Sequence, residues 1–304
     1  MNNSLYFNQS VLLLKILQIV NNQNIFALKG GTAINFFVRD LPRLSVDIDL
    51  VYLPLSDRTT SLQDISRSLV HIEANILKLI HGTQSQRKLL DIYTIGLIIH
   101  AQNATVKIEP NLTIRGTVYP PTEYDLCKKG KDLFELSLKT RSLVKEELYA
   151  GKICAALDRQ HPRDIYDIKL LFENEGITDK TRKAFIVYLI SHNRPINELL
   201  NPNFLDITKI YEQEFIGMVN ENVELSELIS TRETLVKEIN GTLSDSEKQF
   251  LLTFKSINPV WELLELPNIQ NLPAVKWKLL NLKKMEHKKH SEALSKLERV
   301  LNNI

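Results

Sequence analysis

The sequence predicts an α+β chain: a mixed sheet with helices in its N-terminal part, then an all-helical bundle. Three observations carry this. Period-two apolar alternation is confined to the first part, at 47–52, 88–102 and 105–112. From Val144 onward helical spacing dominates and strand candidates are few. Glycine is scarce, 10 of 304 residues, which disfavours a turn-rich all-β fold. The composition shift divides the chain into domains 1–178 and 179–304.

The elements follow in order. Leu12, Leu13, Ile16, Ile19 and Val20 recur at helical spacing until Asn21, Asn22 and Asn24 break the pattern. The short apolar run 25–29 reads as a strand that enters a tight turn at Gly30-Gly31. A helix over 32–39 turns Ala33, Phe36 and Phe37 inward. Over 47–52, Ile48, Leu50 and Tyr52 share one face, and Asp47, Asp49 and Val51 the other. Residues 61–80 read as a helix, and Asn103-Ala104 as a hairpin turn between strands 88–102 and 105–112. Residues 145–159 form a helix, and Pro162 opens the next, which runs to about 172. Ser244 and Glu247 make a capping box before Phe250, Leu251 and Phe254. Trp261 and Trp277 read as packing residues. Val275, Leu279, Leu282, Met285, Ala293, Leu297, Val300 and Ile304 form the stripe of one long final helix, with Lys276, Lys283, Lys284, His287 and Lys288 on its outer face.

Hydrophobic residues at 43% and charged residues at 24% exclude collagen-like, low-complexity and wholly disordered chains. A net charge of +2 does not by itself argue for nucleic acid, so any basic surface comes from uneven placement. Residues 201–270 hold 12 acidic and 5 basic side chains, whereas 274–304 hold 8 basic and 3 acidic. Cys127 and Cys154 have neither metal nor redox spacing and point to a reducing compartment. No stretch approaches the roughly 20 apolar residues of a membrane span, and the run 11–20 lacks the flanks of a signal peptide. A cytoplasmic protein without a membrane partner is expected.

The chemistry concentrates in Lys29-Gly30-Gly31-Thr32 and in Arg43 to Asp49. Two glycines between a strand and a helix let the backbone approach a ligand closely, and the helix start offers N–H groups and a positive dipole end to phosphate. Thr32 adds a hydroxyl. Asp47 and Asp49 leave one face of a strand, so both can serve one divalent ion or bridge two about 3.5–4 Å apart. On 105–109, Lys107 and Glu109 share a face, and a neighbouring strand would bring Glu109 in as a third acid. Three carboxylates together are unfavourable unless cations neutralise them, which points to magnesium or manganese.

Taken singly, these features are weak. Asp-x-Asp also marks solvated strand ends, and Gly-Gly is usually a plain turn. The ordered set of strand, Gly-Gly-Thr, helix, Asp-x-Asp strand and acidic strand is the layout of the polymerase β-type nucleotidyltransferase fold. A second cluster runs from Lys152 through Arg159, Arg163 and Asp164 to Asp167. In isolation it also reads as surface salt bridging, with Arg163 pairing Asp167 at i, i+4.

Together, Lys-Gly-Gly-Thr, Arg-x-Ser-x-Asp-Ile-Asp-Leu, the Lys-x-Glu strand and Lys-x₆-Arg-x₃-Arg-Asp-x-Tyr-Asp resemble the AbiEii/AbiGii family of nucleotidyltransferase toxins, over roughly residues 25–172. Members are toxin halves of bacterial toxin–antitoxin and abortive-infection systems. The resemblance implies an NTP substrate, an RNA acceptor such as the 3′ end of tRNA, pyrophosphate release and an antitoxin partner. It assigns Lys29, Gly30, Gly31, Thr32, Arg43, Ser45 and Lys152 to nucleotide binding. Asp47, Asp49 and Glu109 fall to the metal, and these three with Lys152 and Asp167 to catalysis. Two rivals are nucleotide transfer to a protein side chain, and a nucleotide-binding interaction module without transfer. His287 and His290, three apart without nearby acids or cysteines, read as a solvated basic face.

Overall fold

The computed structural model of the chain describes residues 5–101, 103–219 and 221–303. Gln102 and Ile304, the last residues of an expected strand and of the expected final stripe, lie outside them. The chain divides into two compact units, Met1–Leu148 with Gly217–Asn220, and Tyr149–Ile216 with Glu221–Ile304. This division falls inside a continuous helix, earlier than the composition change at 178.

The first unit runs α1 (Leu5–Val20), β1 (Phe26–Lys29), α2 (Gly30–Ala33), β2 (Asp47–Tyr52), α3 (Arg58–Leu79), β3 (Thr83–Leu90), β4 (Tyr93–Ala101), β5 (Ala104–Asn111), β6 (Thr122–Asp125), α4 (Lys128–Phe134), β7 (Lys139–Ser142) and the start of α5 (Lys145–Asp158). Over residues 12–20 of α1, only Lys15 and Gln18 are exposed. They are three apart and share one face, so these two polar residues mark the single solvent stripe of a helix buried elsewhere.

The seven strands lie in the order β3-β4-β5-β2-β1-β7-β6. β3, β4 and β5 form an antiparallel meander, β5 pairs parallel with β2, and β2 pairs antiparallel with β1. α1 and α3 pack against this sheet, over buried Leu97, Ile99, Val106 and Ile108. The alternate residues Gln84, Gln86, Lys88, His100 and Lys107 are exposed.

The expected strand 88–102 is really parts of two. β3 ends at Leu90, the chain turns at Asp91 with φ +51, and β4 begins at Tyr93. β3 escaped detection because it is an edge strand with most side chains in water, so its sequence Thr-Gln-Ser-Gln-Arg-Lys has no apolar alternation. The expected helix 32–39 begins two residues earlier and loosens after Ala33, where the Arg39 N–H bonds to the Ile34 carbonyl five residues back at 2.7 Å, a π-helical turn.

The second unit holds the remainder of α5, α6 (Pro162–Glu173), α7 (Asp179–Ser191), α8 (Ile196–Leu200), α9 (Thr208–Ile210), α10 (Leu225–Thr242), α11 (Asp245–Lys255), α12 (Pro273–Lys283) and α13 (His287–Asn302). Pro162 opens α6, and Ser244 and Glu247 form the capping box of α11. Trp261 packs against Phe250 and Phe254, with ring centroids 5.9 and 6.2 Å away. Trp277 is 56% exposed and is not a core residue.

The single long final helix is also corrected to two. The Lys284 N–H closes α12 on the Leu280 and Leu282 carbonyls, and Glu286 takes the extended conformation of an N-cap before α13. The apolar stripe has a gap between Met285 and Ala293, and Met285 is itself exposed, so no burial holds the helix straight there.

Candidate active site

β1 carries buried Phe26, Ala27 and Leu28 and delivers Lys29 to the turn. Gly30 follows with φ +74, a backbone state that side chains other than glycine rarely adopt. A Cβ at Gly30 would overlap the Oδ2 of Asp49, whose Cα faces Lys29 across the β1–β2 pairing. A Cβ at Gly31 would lie 2.7 Å from the Arg43 Nη2. Each glycine is thus matched to one charged group packed against its α-carbon.

Arg43 is buried, its Nη1 donates to the Leu44 carbonyl at 3.0 Å, and its backbone bridges to Val219. Leu44 N–H bonds to the Met218 carbonyl at 3.0 Å. Thr32 is buried too. Its hydroxyl donates to the Asp47 carbonyl at 2.5 Å and shares a hydrogen bond with Ser45 Oγ at 2.8 Å. Ser45 in turn is tied through its carbonyl to Ser10 of α1 at 3.2 Å. Thr32 and Ser45 therefore fasten the glycine turn to the first residue of β2.

Asp47 and Asp49 stand on one face of β2. The parallel pairing with β5 sets Asp47 opposite Lys107 and Asp49 opposite Glu109. The side-by-side strands that would make Glu109 a third acid are present. Its carboxylate, however, is held by Lys88 of β3, Nζ to Oε1 3.2 Å. Among the described residues no three Asp, Glu, His or Cys side chains converge as a finished ion site. The donors on offer are carboxylate oxygens, which fit a hard divalent ion such as magnesium or manganese, with Asp47 and Asp49 as the pair and Glu109 one strand away.

The second unit holds the other cluster. Lys152 of α5 lies 2.7 Å from Asp164 Oδ1 and 3.0 Å from Asp167 Oδ2, both on α6. The three side chains are 6%, 1% and 0% exposed. Arg159 closes on Asp164 with Nε to Oδ2 at 2.5 Å and Nη2 to Oδ1 at 3.0 Å. Burial pushes the Asp164 pKa up, but Lys152 and Arg159 overcome it and hold the carboxyl well below its ordinary value. The surface salt-bridge pattern is therefore overturned. The lysine joins two helices from inside, and Arg163 reaches instead toward Glu214, 3.7 Å away. Asp164 and Arg159 stand in the same motif without a role assigned to them, and the structure joins both to Lys152 and Asp167. The signal was present, since Asp164 and Asp167 are three apart and share a face.

Lys88 and the 218–219 segment had no signal of this kind. Lys88 sits in the polar edge strand, and Met218 and Val219 lie far along the chain from the loop they pair with.

The family profile described as "Nucleotidyl transferase AbiEii toxin, Type IV TA system" matches residues 12–256. Among solved structures the fold matches MenT4, a nucleotidyltransferase toxin from Mycobacterium tuberculosis H37Rv, with TM-score 0.61 and 13% identity over 91% of this chain and 93% of that one. JHP933 from Helicobacter pylori aligns with TM-score 0.46 and 15% identity over 80% of this chain and 94% of that one. No curated protein matches in sequence.

Proposed function

The chain belongs to the AbiEii family of nucleotidyltransferase toxins of type IV toxin–antitoxin systems, and from that membership we propose that it moves a nucleoside monophosphate from an NTP to the 3′ hydroxyl of an RNA acceptor, tRNA first among the candidates. The observation that carries this reading is the packing of the Asp49 carboxylate against Gly30, which brings the acid pair up to the backbone of the glycine turn.

Asp47 and Asp49, with Glu109, would hold magnesium or manganese, which when bound neutralises the triphosphate and lowers the pKa of the attacking hydroxyl. The acceptor oxygen bonds to the α-phosphorus as the bond to pyrophosphate breaks, and Glu109 orients or deprotonates that hydroxyl. Gly30 and Gly31 seat the phosphates, with Lys29 and Arg43 supplying positive charge at the turn. Thr32 and Ser45 keep that turn locked to β2. The family motif gives Lys152 the neutralisation of charge on the triphosphate, with Asp167 holding the lysine. The partner expected of a toxin is an antitoxin.

Purified protein incubated with each labelled NTP, magnesium and total tRNA, and in parallel with cell extract, tests the reading. Label on the RNA 3′ end, with pyrophosphate released, is the expected result. Label on protein alone supports transfer to a side chain. NTP binding without transfer in any arm supports the interaction module.

A further inference from the structure

Lys88 reaches Glu109 across an intervening strand. In β4 its Cα partner is Gly96, and Leu97 pairs with Ile108 of β5. A Cβ at Gly96 would sit 3.6 Å from both Cβ and Cδ of Lys88 and 3.2 Å from the Ile108 carbonyl. The lysine stem thus lies over the bare α-carbon of the glycine, and its ammonium ends on Glu109 Oε1 at 3.2 Å. Immediately after Lys88 the β3–β4 register shifts, at Lys88/Leu89. Glu109 in turn faces Asp49 across the β2–β5 pairing. A tethered monovalent cation is therefore bonded to the carboxylate that stands beside the proposed metal pair.

The side chains are 59% and 41% exposed, so the pair is weak and exchangeable. A divalent ion on Asp47 and Asp49 offers Glu109 a stronger partner than an ammonium in water. With the ion absent, the lysine offsets the charge of Glu109.

We propose that Lys88 is a positioning residue of the transfer site, which holds Glu109 off the metal in the resting protein and gives it up as the ion binds. The inference rests on the metal reading given under Proposed function. The ion and Lys88 compete for one carboxylate, so occupancy by one releases the other.

The test is Mn²⁺ binding to the full chain, followed by the electron paramagnetic resonance signal of the unbound ion. Lys88→Met is expected to tighten binding about two- to five-fold, the range set by an exposed ion pair. Glu109→Gln should weaken it, and Lys88→Met added to Glu109→Gln should change nothing further. Lys88→Arg should restore wild-type affinity. Unchanged or weaker binding in Lys88→Met overturns the competition. So does equal tightening in both backgrounds, which would mean simple repulsion of the ion by a nearby charge. Separately, Asp49→Asn should lower Mn²⁺ affinity. If it does not, the metal reading fails and takes this inference with it, whereas if it does and Lys88→Met is silent, only the role of Lys88 falls.

Discussion

The carboxylate of Asp49 occupies the space in which Gly30 would carry a side chain. Gly30→Ala therefore meets two obstacles, a left-handed φ of +74 and a collision with the Asp49 carboxylate. The first costs about 1–2 kcal/mol. The second displaces Asp49, so transfer should fall much further than stability. A denaturant melt alongside the labelled-NTP assay reads both. A loss of stability with transfer intact would separate Asp49 from the chemistry.

Asp47→Asn and Asp49→Asn should each abolish transfer and leave the fold largely in place, because neutralising an acid among acids relieves repulsion when no metal is bound. Magnesium should raise the melting temperature of the wild type, as binding to the folded state requires, and should do so less in either variant. Substantial transfer by either one removes it from the metal set.

Gly31→Val should weaken triphosphate binding more than folding. Its side chain would press on the Arg43 guanidinium, whose Nη2 lies 2.7 Å from the position of a Cβ. Arg43 is buried and tied to the Leu44 carbonyl, so it has little room to withdraw. Calorimetry showing unaltered NTP affinity would place the phosphate seat elsewhere.

Lys152→Ala should destabilise the second unit by about 3–5 kcal/mol, the usual effect of removing one partner from a buried ion pair. Loss of activity in that variant alone therefore says nothing about chemistry. Lys152→Met combined with Asp164→Asn and Asp167→Asn removes the stranded charges and should recover much of the stability. If that triple variant folds and still transfers, the motif role of Lys152 is wrong. Asp164 adds a pH dependence. Its folded pKa is depressed, so its contribution is complete above the ordinary value of 3.8 and is lost as the pH falls toward the folded value, which acid unfolding of the wild type should show.

Lys278 gives the opposite case. Burial, and secondarily the charge of Lys255, pull its pKa from 10.5 down to about 8. Between those values the unfolded chain binds the extra proton, so this residue makes stability rise with pH from about 8 to 10.5. The slope it adds is at most about 1.4 kcal/mol per pH unit. Wild type minus Lys278→Met, melted across that window, should show the rise. A flat difference would mean the ammonium is well solvated in the folded state.

The residues that were legible in the sequence are those whose role depends on local spacing. Gly30-Gly31 announce a turn, Asp47 and Asp49 share a strand face, and Ser244 with Glu247 caps a helix, because each relation spans a few residues. Glu109 was legible as an acid on an alternating strand, and its register with Asp49 followed the expected strand neighbourhood. What escaped depends on tertiary contact. Lys88 meets Glu109 across β4, beside Gly96, and β3 itself lacks an apolar pattern. The break between α12 and α13 was hidden because Met285 continues the apolar spacing while lying exposed.

The pairing of Arg43 and Leu44 with Met218 and Val219 has a consequence for how this protein is made. The loop that presents Arg43 to Gly31 gains its last backbone partners only after residue 219 has been synthesised. A ribosome emits the acid pair and the glycine turn early, and more than half the chain must emerge before their enclosing loop is fastened. A chain that ends between residues 110 and 217 thus carries Asp47, Asp49 and Glu109 but lacks the backbone partners of Arg43 and Leu44. A toxin gene cut short anywhere before that point should encode a harmless product.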